Sequence, residues 1–284
     1  MRIAIVIPFY NEESFLKDCI HSFLQQTRVP DQIVLVDDSS TDDSSKIAQA
    51  LADEYEFISY LKHESEAERV PGSKVIRAFN YGLQQCKAAD FIGKFDADLI
   101  LPHNYFEALI EAFSSNPKLG MCSGLLFVQK NNEWTYENIA DHNHVRGPVK
   151  FYSKACFEAI GGLYEELGWD SIDTLLANCQ GFETSTLKNM QVKHLRPTSK
   201  AYHSKSEYHF KRGMSYYKMG YDFTLSFLSI LKQFFKTKDI GSATQQLRGF
   251  LKAKTSRAIV PFVSPSQGQC IRKIRYQKIR EKIF

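Results

Sequence analysis

The chain has 284 residues, room for one large domain or one with an appendage at about 100–200 residues per domain. With 43% hydrophobic residues it is not a disordered, collagenous or small disulfide-scaffold chain. The net charge of +4 conceals a division. Residues 200–284 hold 18 Lys/Arg against 4 Asp/Glu, a net of +14, while residues 1–199 hold 18 against 28, a net of −10. A basic tail on an acidic body predicts an anionic partner for the tail.

The first hundred residues alternate strand and helix. Ile3–Ile7 is a continuous apolar run, as in a strand buried on both faces. Phe15, Leu16, Cys19, Ile20, Phe23 and Leu24 follow at helical spacing. Ile33–Val36 reads as a second buried strand, stopping at Asp37-Asp38, and Ser39 to Asp43 carries helix-capping chemistry before the helix marked by Ile47, Ala48, Leu51 and Ala52. Phe57–Leu61 reads as a strand, Val75 to Cys86 as a helix, and Phe91–Phe95 as a strand ending at Asp96-Ala97-Asp98. Strands alternating with helices imply a mostly parallel sheet with helices on its faces. Ligands of such sheets bind outside the carboxyl ends of the strands. Three of those ends carry polar clusters: Tyr10-Asn11-Glu12, Asp37-Asp38 and Asp96-Ala97-Asp98.

Beyond this half, the patterns predict a helix over 104–115, a strand over 120–128, a short strand at Phe151-Tyr152 and a helix over 153–160, broken by Gly161-Gly162. A helix over about 171–180 and a strand over 192–195 follow. Residues 206–236 read as one long helix, then a less regular stretch, then a basic helix over about 268–282. The expected organisation is an α/β body over 1–200, in halves 1–100 and 101–200, and a basic helical extension over 201–284.

The six cysteines, at 19, 86, 122, 156, 179 and 270, contain no CxxC pair and read as free thiols in a reducing compartment. The apolar run at the N-terminus is too short for a secretory signal and ends at Pro8. No uncharged stretch reaches the ~18–20 residues of a spanning helix. These features predict a cytoplasmic protein, soluble or peripheral at the inner face of the cell membrane.

Two carboxylates one residue apart, at a strand end, suit a hard divalent cation that bridges substrate phosphates. Taken with Ile5-Val6-Ile7-Pro8-Phe9-Tyr10-Asn11-Glu12-Glu13 and Ile33-Val34-Leu35-Val36-Asp37-Asp38-Ser39-Ser40-Thr41-Asp42, the Asp96-Ala97-Asp98 block resembles the family 2 glycosyltransferases of the GT-A fold, of the bacterial glycan-biosynthesis type. Gly72 to Gly82 resembles that family's donor-site helix, and Gly161-Gly162-Leu163-Tyr164-Glu165-Glu166 the turn before its catalytic base.

The resemblance implies an inverting, hexosyltransferase-like enzyme whose catalytic domain spans 1–200, with a nucleotide-sugar half over 1–100 and an acceptor half over 101–200. Pro8, Tyr10, Glu12 and Ala97 would line the donor pocket. Asp37 or Asp38 would accept a hydrogen bond from the base, which suits a uracil imide because a carboxylate is a pure acceptor. Lys74 and Arg77 would meet the two phosphates. Asp98, with Asp96 on the ribose or a metal-bound water, would bind Mn²⁺ or Mg²⁺, and His194 would add a metal ligand. Where the family has Glu-Asp, this chain has Trp169-Asp170, so Asp170 takes the place of the base, with Asp173 one turn along as the alternative. Trp169 either stacks on an acceptor sugar or belongs to the core. His142 and His144 read as a polar loop.

The tail interleaves Lys211, Arg212, Lys218, Lys232, Lys236 and Lys238 with aromatic and aliphatic residues. Arg272, Lys273, Arg275, Lys278, Arg280 and Lys282 stand among Ile271, Ile274, Ile279 and Ile283. That chemistry favours an anionic membrane surface, and so a glycan or lipid-linked acceptor. A nucleic-acid partner is not expected beside an acidic body without a recognised reader. Two rivals stand. A nucleotidyltransferase would carry a glycine-rich basic loop after the first strand, where this chain has Pro8-Phe9-Tyr10-Asn11-Glu12. A non-catalytic nucleotide-sugar-binding module would keep the donor pocket without a base.

Overall fold

The structure, a computed structural model, describes residues 1–64, 72–139, 141–197 and 206–283, without the side chains of Lys282 and Ile283. The expected domain boundary at 200 lies outside the described residues, as do the expected positions of Lys282 and Ile283 on the last helix face. The chain divides into two compact units. One comprises Met1–Arg69, Lys74–Glu165 and Gln180–Thr198; the other comprises Val70–Ser73, Glu166–Cys179 and Ser199–Phe284.

The first unit is built on a sheet. Its strands are β1 (Ile3–Phe9), β2 (Gln32–Asp37), β3 (Ile58–Lys62), β4 (Phe91–Phe95), β5 (Leu99–Ile100), β6 (Leu119–Lys130), β7 (Glu133–Tyr136), β8 (Val149–Ser153) and β9 (Glu183–His194). Their order is β3-β2-β1-β4-β8-β6-β9-β5, with β7 paired to β6. β3, β2, β1 and β4 are parallel, so their carboxyl ends share one edge. Every residue of β1 is buried, as the unbroken apolar run requires of a strand covered on both faces. Helices α1 (Leu16–Leu24), α2 (Ser44–Glu54), α3 (Ser73–Leu83), α4 (Tyr105–Ser115) and α5 (Lys154–Ala159) accompany it. Phe23, Phe95 and Phe106 pack edge-on or tilted at 5.3–5.7 Å within the core, the offset geometry aromatic quadrupoles favour.

β9 starts at Glu183, well before the expected 192, because its pairing with β6 shifts register at two points and breaks the alternation a strand reading relies on. Its last residues also pair with β5, where Leu99 faces His194.

The second unit is helical: α6 (Trp169–Cys179), α7 (Ser206–Lys218), α8 (Phe223–Thr237), α9 (Ile240–Thr255) and α10 (Pro265–Ile283). Three expectations are corrected here. The single helix over 206–236 is two, because Gly220 turns at φ 78° and the Asp222 side chain caps a new helix through the Leu225 amide at 2.8 Å. The less regular stretch holds α9, capped by Asp239 on the Ser242 amide at 3.0 Å. It escapes an apolar-periodicity reading because its buried face includes Ser242, Gln246 and Gly249. These small and amide side chains let α7 and α9 approach closely: a Cβ on Gly213 would stand 1.8 Å from the Gln246 carbonyl. Third, Cys179 and Cys270 form a disulfide joining α6 to α10, while Cys19, Cys86, Cys122 and Cys156 form none. Residues 91 positions apart give no sign of such pairing in sequence. No described helix is long and apolar enough to cross a membrane.

Candidate functional site

The carboxyl ends of β1 and β2 are tied by their loops. Asn11, at φ 55°, donates its amide to Ser40 Oγ at 3.1 Å and accepts from the Thr41 amide at 2.8 Å. The Glu12 amide donates to Ser44 Oγ at 2.7 Å. Pro8 is buried in β1, and Tyr10 stands exposed just beyond it.

Asp37 and Asp38 differ in surroundings. Asp37 is fully buried and accepts from the Ser40 amide at 2.7 Å, the Tyr60 hydroxyl at 3.1 Å and the Ser45 hydroxyl. Asp38 meets one ring nitrogen of His63 at 3.1 Å, and the His63 ring lies 5.1 Å from Tyr81.

At the end of β4, Asp96, Asp98 and His194 gather: one ligand atom from each lies within 4.8 Å of the others. The β5–β9 pairing brings His194 there, and the Leu195 amide donates to the Asp98 carbonyl at 2.8 Å. His194 Nδ1 donates to Glu137 at 3.1 Å, and its Nε2 is 3.5 Å from Asp98. A ligating histidine needs this arrangement, with one nitrogen held by a carboxylate and the other free for a metal. Arg146 in turn pairs with Glu137. Lys94, only 2% exposed, pairs with Asp96. The donor set of two carboxylates and one imidazole fits Mn²⁺ or Mg²⁺.

The electrostatics follow from this crowding. Burial opposes the His194 imidazolium, but the Asp98 and Glu137 carboxylates outweigh it and lift the pKa to about 9. Burial opposes Asp96 ionisation, yet the Lys94 ammonium holds its carboxyl below the usual range. Glu12 is pushed up to about 7, first by burial and then by Asp98 and Asp96, against the pull of Arg196. Its Oε2 is buried with no hydrogen-bond partner among the described residues. Arg196 pairs with Glu12 and holds Nε 3.5 Å from Asp98.

On α3, Lys74 is partly buried in the first turn. Arg77 Nε lies 3.3 Å from Glu165, which also accepts from Asn80 at 3.1 Å. The Gly161-Gly162 turn before Glu165 is left-handed at both residues. In the helical unit, Trp169 is buried at 7% exposure, as a core residue is. Asp173 on α6 is fully buried and accepts from the Thr174 amide at 2.6 Å. Asp170 is partly exposed and near enough to Tyr208 and Arg212 to bear on their ionisation. His142 stacks on Tyr136 at 4.0 Å, consistent with a structured polar loop.

Sequence reading missed Glu137, Arg146 and Arg196. Lys94 carried a signal, a lysine inside the apolar strand before Asp96. The others sit in segments without a periodic pattern.

Residues 4–160, more than half of the chain, match the model of glycosyl transferase family 2. The chain belongs to that family. Among curated relatives, the glycosyltransferase GlyA of Streptococcus pneumoniae serotype 4 is 25% identical over 177 residues, 58% of this chain and 24% of the relative. The chain spans less than half the length of these curated relatives. Among solved structures, Staphylococcus aureus TarS 1-349 in complex with UDP-GlcNAc aligns at TM-score 0.63 with 16% identity, covering 100% of this chain and 91% of that one. A Pyrobaculum calidifontis mannosyltransferase in complex with GDP-Man and Mn²⁺ aligns at 0.57 with 12% identity, covering 100% and 81%. The glycosyltransferase shares the GT-A fold with these structures.

Proposed function

We propose that this glycosyltransferase transfers a hexosyl unit, with inversion, from a UDP-sugar to a hydroxyl of a glycan or lipid-linked acceptor at the cytoplasmic face of the membrane. The observation that carries the reading is the convergence of Asp96, Asp98 and His194 at the carboxyl edge of the parallel strands, where such sheets bind nucleotides. The nucleotide sugars named for the TarS and mannosyltransferase structures support it.

Asp98, Asp96 and His194 would hold Mn²⁺ or Mg²⁺. When bound, the ion supplies neutralisation of the charge that gathers on the leaving diphosphate. Asp38 accepts the imide proton of the base in preference to Asp37, whose two oxygens already accept three internal hydrogen bonds. Pro8, Tyr10, Glu12 and Ala97 line the donor pocket. Lys74 and Arg77 supply fixed positive charge to the phosphates, with Glu165 holding Arg77 in place.

Asp170 takes the proton of the acceptor hydroxyl as it attacks the anomeric carbon. Its partial exposure suits a group that must meet a substrate, whereas Asp173 is sealed in the helical unit. One base and one displacement invert the anomeric centre.

A thermal-shift panel of UDP-, GDP- and dTDP-sugars, with and without Mn²⁺, tests the reading. A UDP-sugar is expected to raise Tm only with Mn²⁺, and Asp98→Asn to abolish the shift. No shift with any nucleotide sugar would overturn it.

A further inference from the structure

Among the described residues of the helical unit, α8 and α9 share an exposed apolar face. On α8, Phe223, Phe227, Leu228 and Phe235 are exposed, Phe235 at 60%. Phe223 and Phe227 stand one turn apart with stacked rings. On α9, Ile240 is 67% exposed and Leu251 is also exposed. Between the two helices runs an apolar groove of about 240 Å³, lined by Phe227, Leu231, Phe234, Ile240 and Leu247 among others. Isolated exposed apolar residues are ordinary, but a contiguous face of aromatic rings marks an interaction surface.

The charge around this face is almost all of one sign. Lys232 stands one turn beyond Leu228, Lys254 one turn beyond Leu251, and the Lys238 ammonium lies 5.1 Å from the Phe235 ring centre. Lys236, Arg248 and Lys252 are exposed on the same two helices. Across residues 223–255 these six cations face one acid, Asp239, which caps α9.

The other basic helix does not offer such a face. In α10, Ile271 is fully buried and Arg272 donates to the Gly220 carbonyl at 2.6 Å. Arg275 lies 5.8 Å from the Tyr221 ring, and Tyr276 donates to Asp222 at 2.7 Å. The disulfide to Cys179 fixes the same helix on α6.

We propose that the α8–α9 face is a docking surface for an anionic lipid bilayer, with Phe223, Phe227, Phe235 and Ile240 entering the headgroup boundary and Lys232, Lys236, Lys238, Arg248, Lys252 and Lys254 meeting lipid phosphates. A groove walled by hydrocarbon suits acyl chains, which need no hydrogen bonds, whereas protein interfaces carry about one per 100–200 Å². A second copy on the same face would set six cations against six, because an isologous contact opposes a patch to itself. Basic, aromatic helices lying in the interface are a known solution to peripheral attachment. The inference deepens the membrane part of the function proposed above, and vesicle binding needs no donor, so each can fail alone.

The test is sedimentation of the full chain with vesicles of phosphatidylcholine alone or mixed with phosphatidylglycerol. Binding is expected only to the mixed vesicles. The variant Phe223→Ser/Phe227→Ser/Phe235→Ser is expected to lose at least tenfold in partitioning, and Lys232→Gln/Lys236→Gln/Lys238→Gln to lose it too. Lys273→Gln/Lys278→Gln/Arg280→Gln, on α10, is expected to partition as the parent does. Circular dichroism and the UDP-sugar thermal shift report whether each variant folds. If the serine variant does not, Phe227→Trp supplies the readout: its emission should shift blue on mixed vesicles and be quenched by brominated acyl chains. No binding to mixed vesicles, loss through the α10 variant instead, or a dimer that the serine variant dissociates would each overturn the proposal.

Discussion

Glu137 holds Nδ1 of His194 at 3.1 Å, leaving Nε2 turned toward Asp98 at 3.5 Å. The two residues lie far apart in sequence and meet only because β9 passes between β6 and β5. With two carboxylates in contact, the imidazole is lifted to about 9, so it is protonated at neutral pH in the metal-free protein. A raised basic pKa gives stability that is full below the ordinary histidine value and is lost as pH rises through about 9. Metal binding must displace that proton. Mn²⁺ affinity is therefore expected to rise about tenfold per pH unit between 7 and 9. Calorimetry in buffers of differing ionisation enthalpy should count about one proton released. A pH-independent affinity would remove His194 from the ligand set.

Arg196 also borders Asp98, paired with Glu12 and with Nε 3.5 Å from Asp98, its side chain 51% exposed. In that position its guanidinium competes with a cation for Asp98, yet it can also reward a bound diphosphate. Arg196→Gln is expected to tighten Mn²⁺ binding severalfold without nucleotide and to weaken UDP binding about tenfold with Mn²⁺ present, the order expected for one charge-assisted pair. Paramagnetic resonance of free Mn²⁺ measures the first and calorimetry the second. Equal changes of one sign would deny the competition.

Asp170 and Asp173 separate by exposure. Asp170→Asn is expected to bind donor normally and to lose transfer by about 10²–10⁴-fold, the range for a general base. Asp173→Asn is expected to cost about 1–3 kcal/mol of stability, since it disturbs a buried hydrogen-bonded carboxylate. Initial rates and urea midpoints distinguish the two. Intact turnover in Asp170→Asn would sink the assignment.

The Cys179–Cys270 bond joins two residues of the helical unit and closes a loop of 91 positions. Its removal by Cys179→Ser/Cys270→Ser is expected to cost about 2–4 kcal/mol. Dithiothreitol should lower the urea midpoint of the parent and leave that of the double variant unchanged. Identical midpoints for parent and variant without reductant would show that the bond does not form in solution.

The parallel half of the fold and its acidic strand ends were legible from residue order alone. A strand buried on both faces must be largely apolar, so Ile3–Ile7 and Ile33–Val36 announce themselves, Phe91–Phe95 does so despite Lys94, and the carboxylates that end or follow these strands mark one sheet edge. The place of Asp37, Asp38, Asp96 and Asp98 at or just beyond strand ends needed no tertiary information. Glu137 and Arg196 did, because each lies outside a periodic segment and meets partners distant in sequence, His194 for Glu137 and Glu12 and Asp98 for Arg196, and Arg146 joins the cluster through Glu137. α9 was hidden because glycine, serine and glutamine, not leucine, fill its contact with α7. The sequence likewise held two basic, apolar stretches of equal promise, and packing alone distinguished them: α10 spends its apolar side on its neighbours, whereas α8 and α9 leave theirs uncovered. Local periodicity reports what each segment must bury; which segments bury one another is decided by the three-dimensional fold.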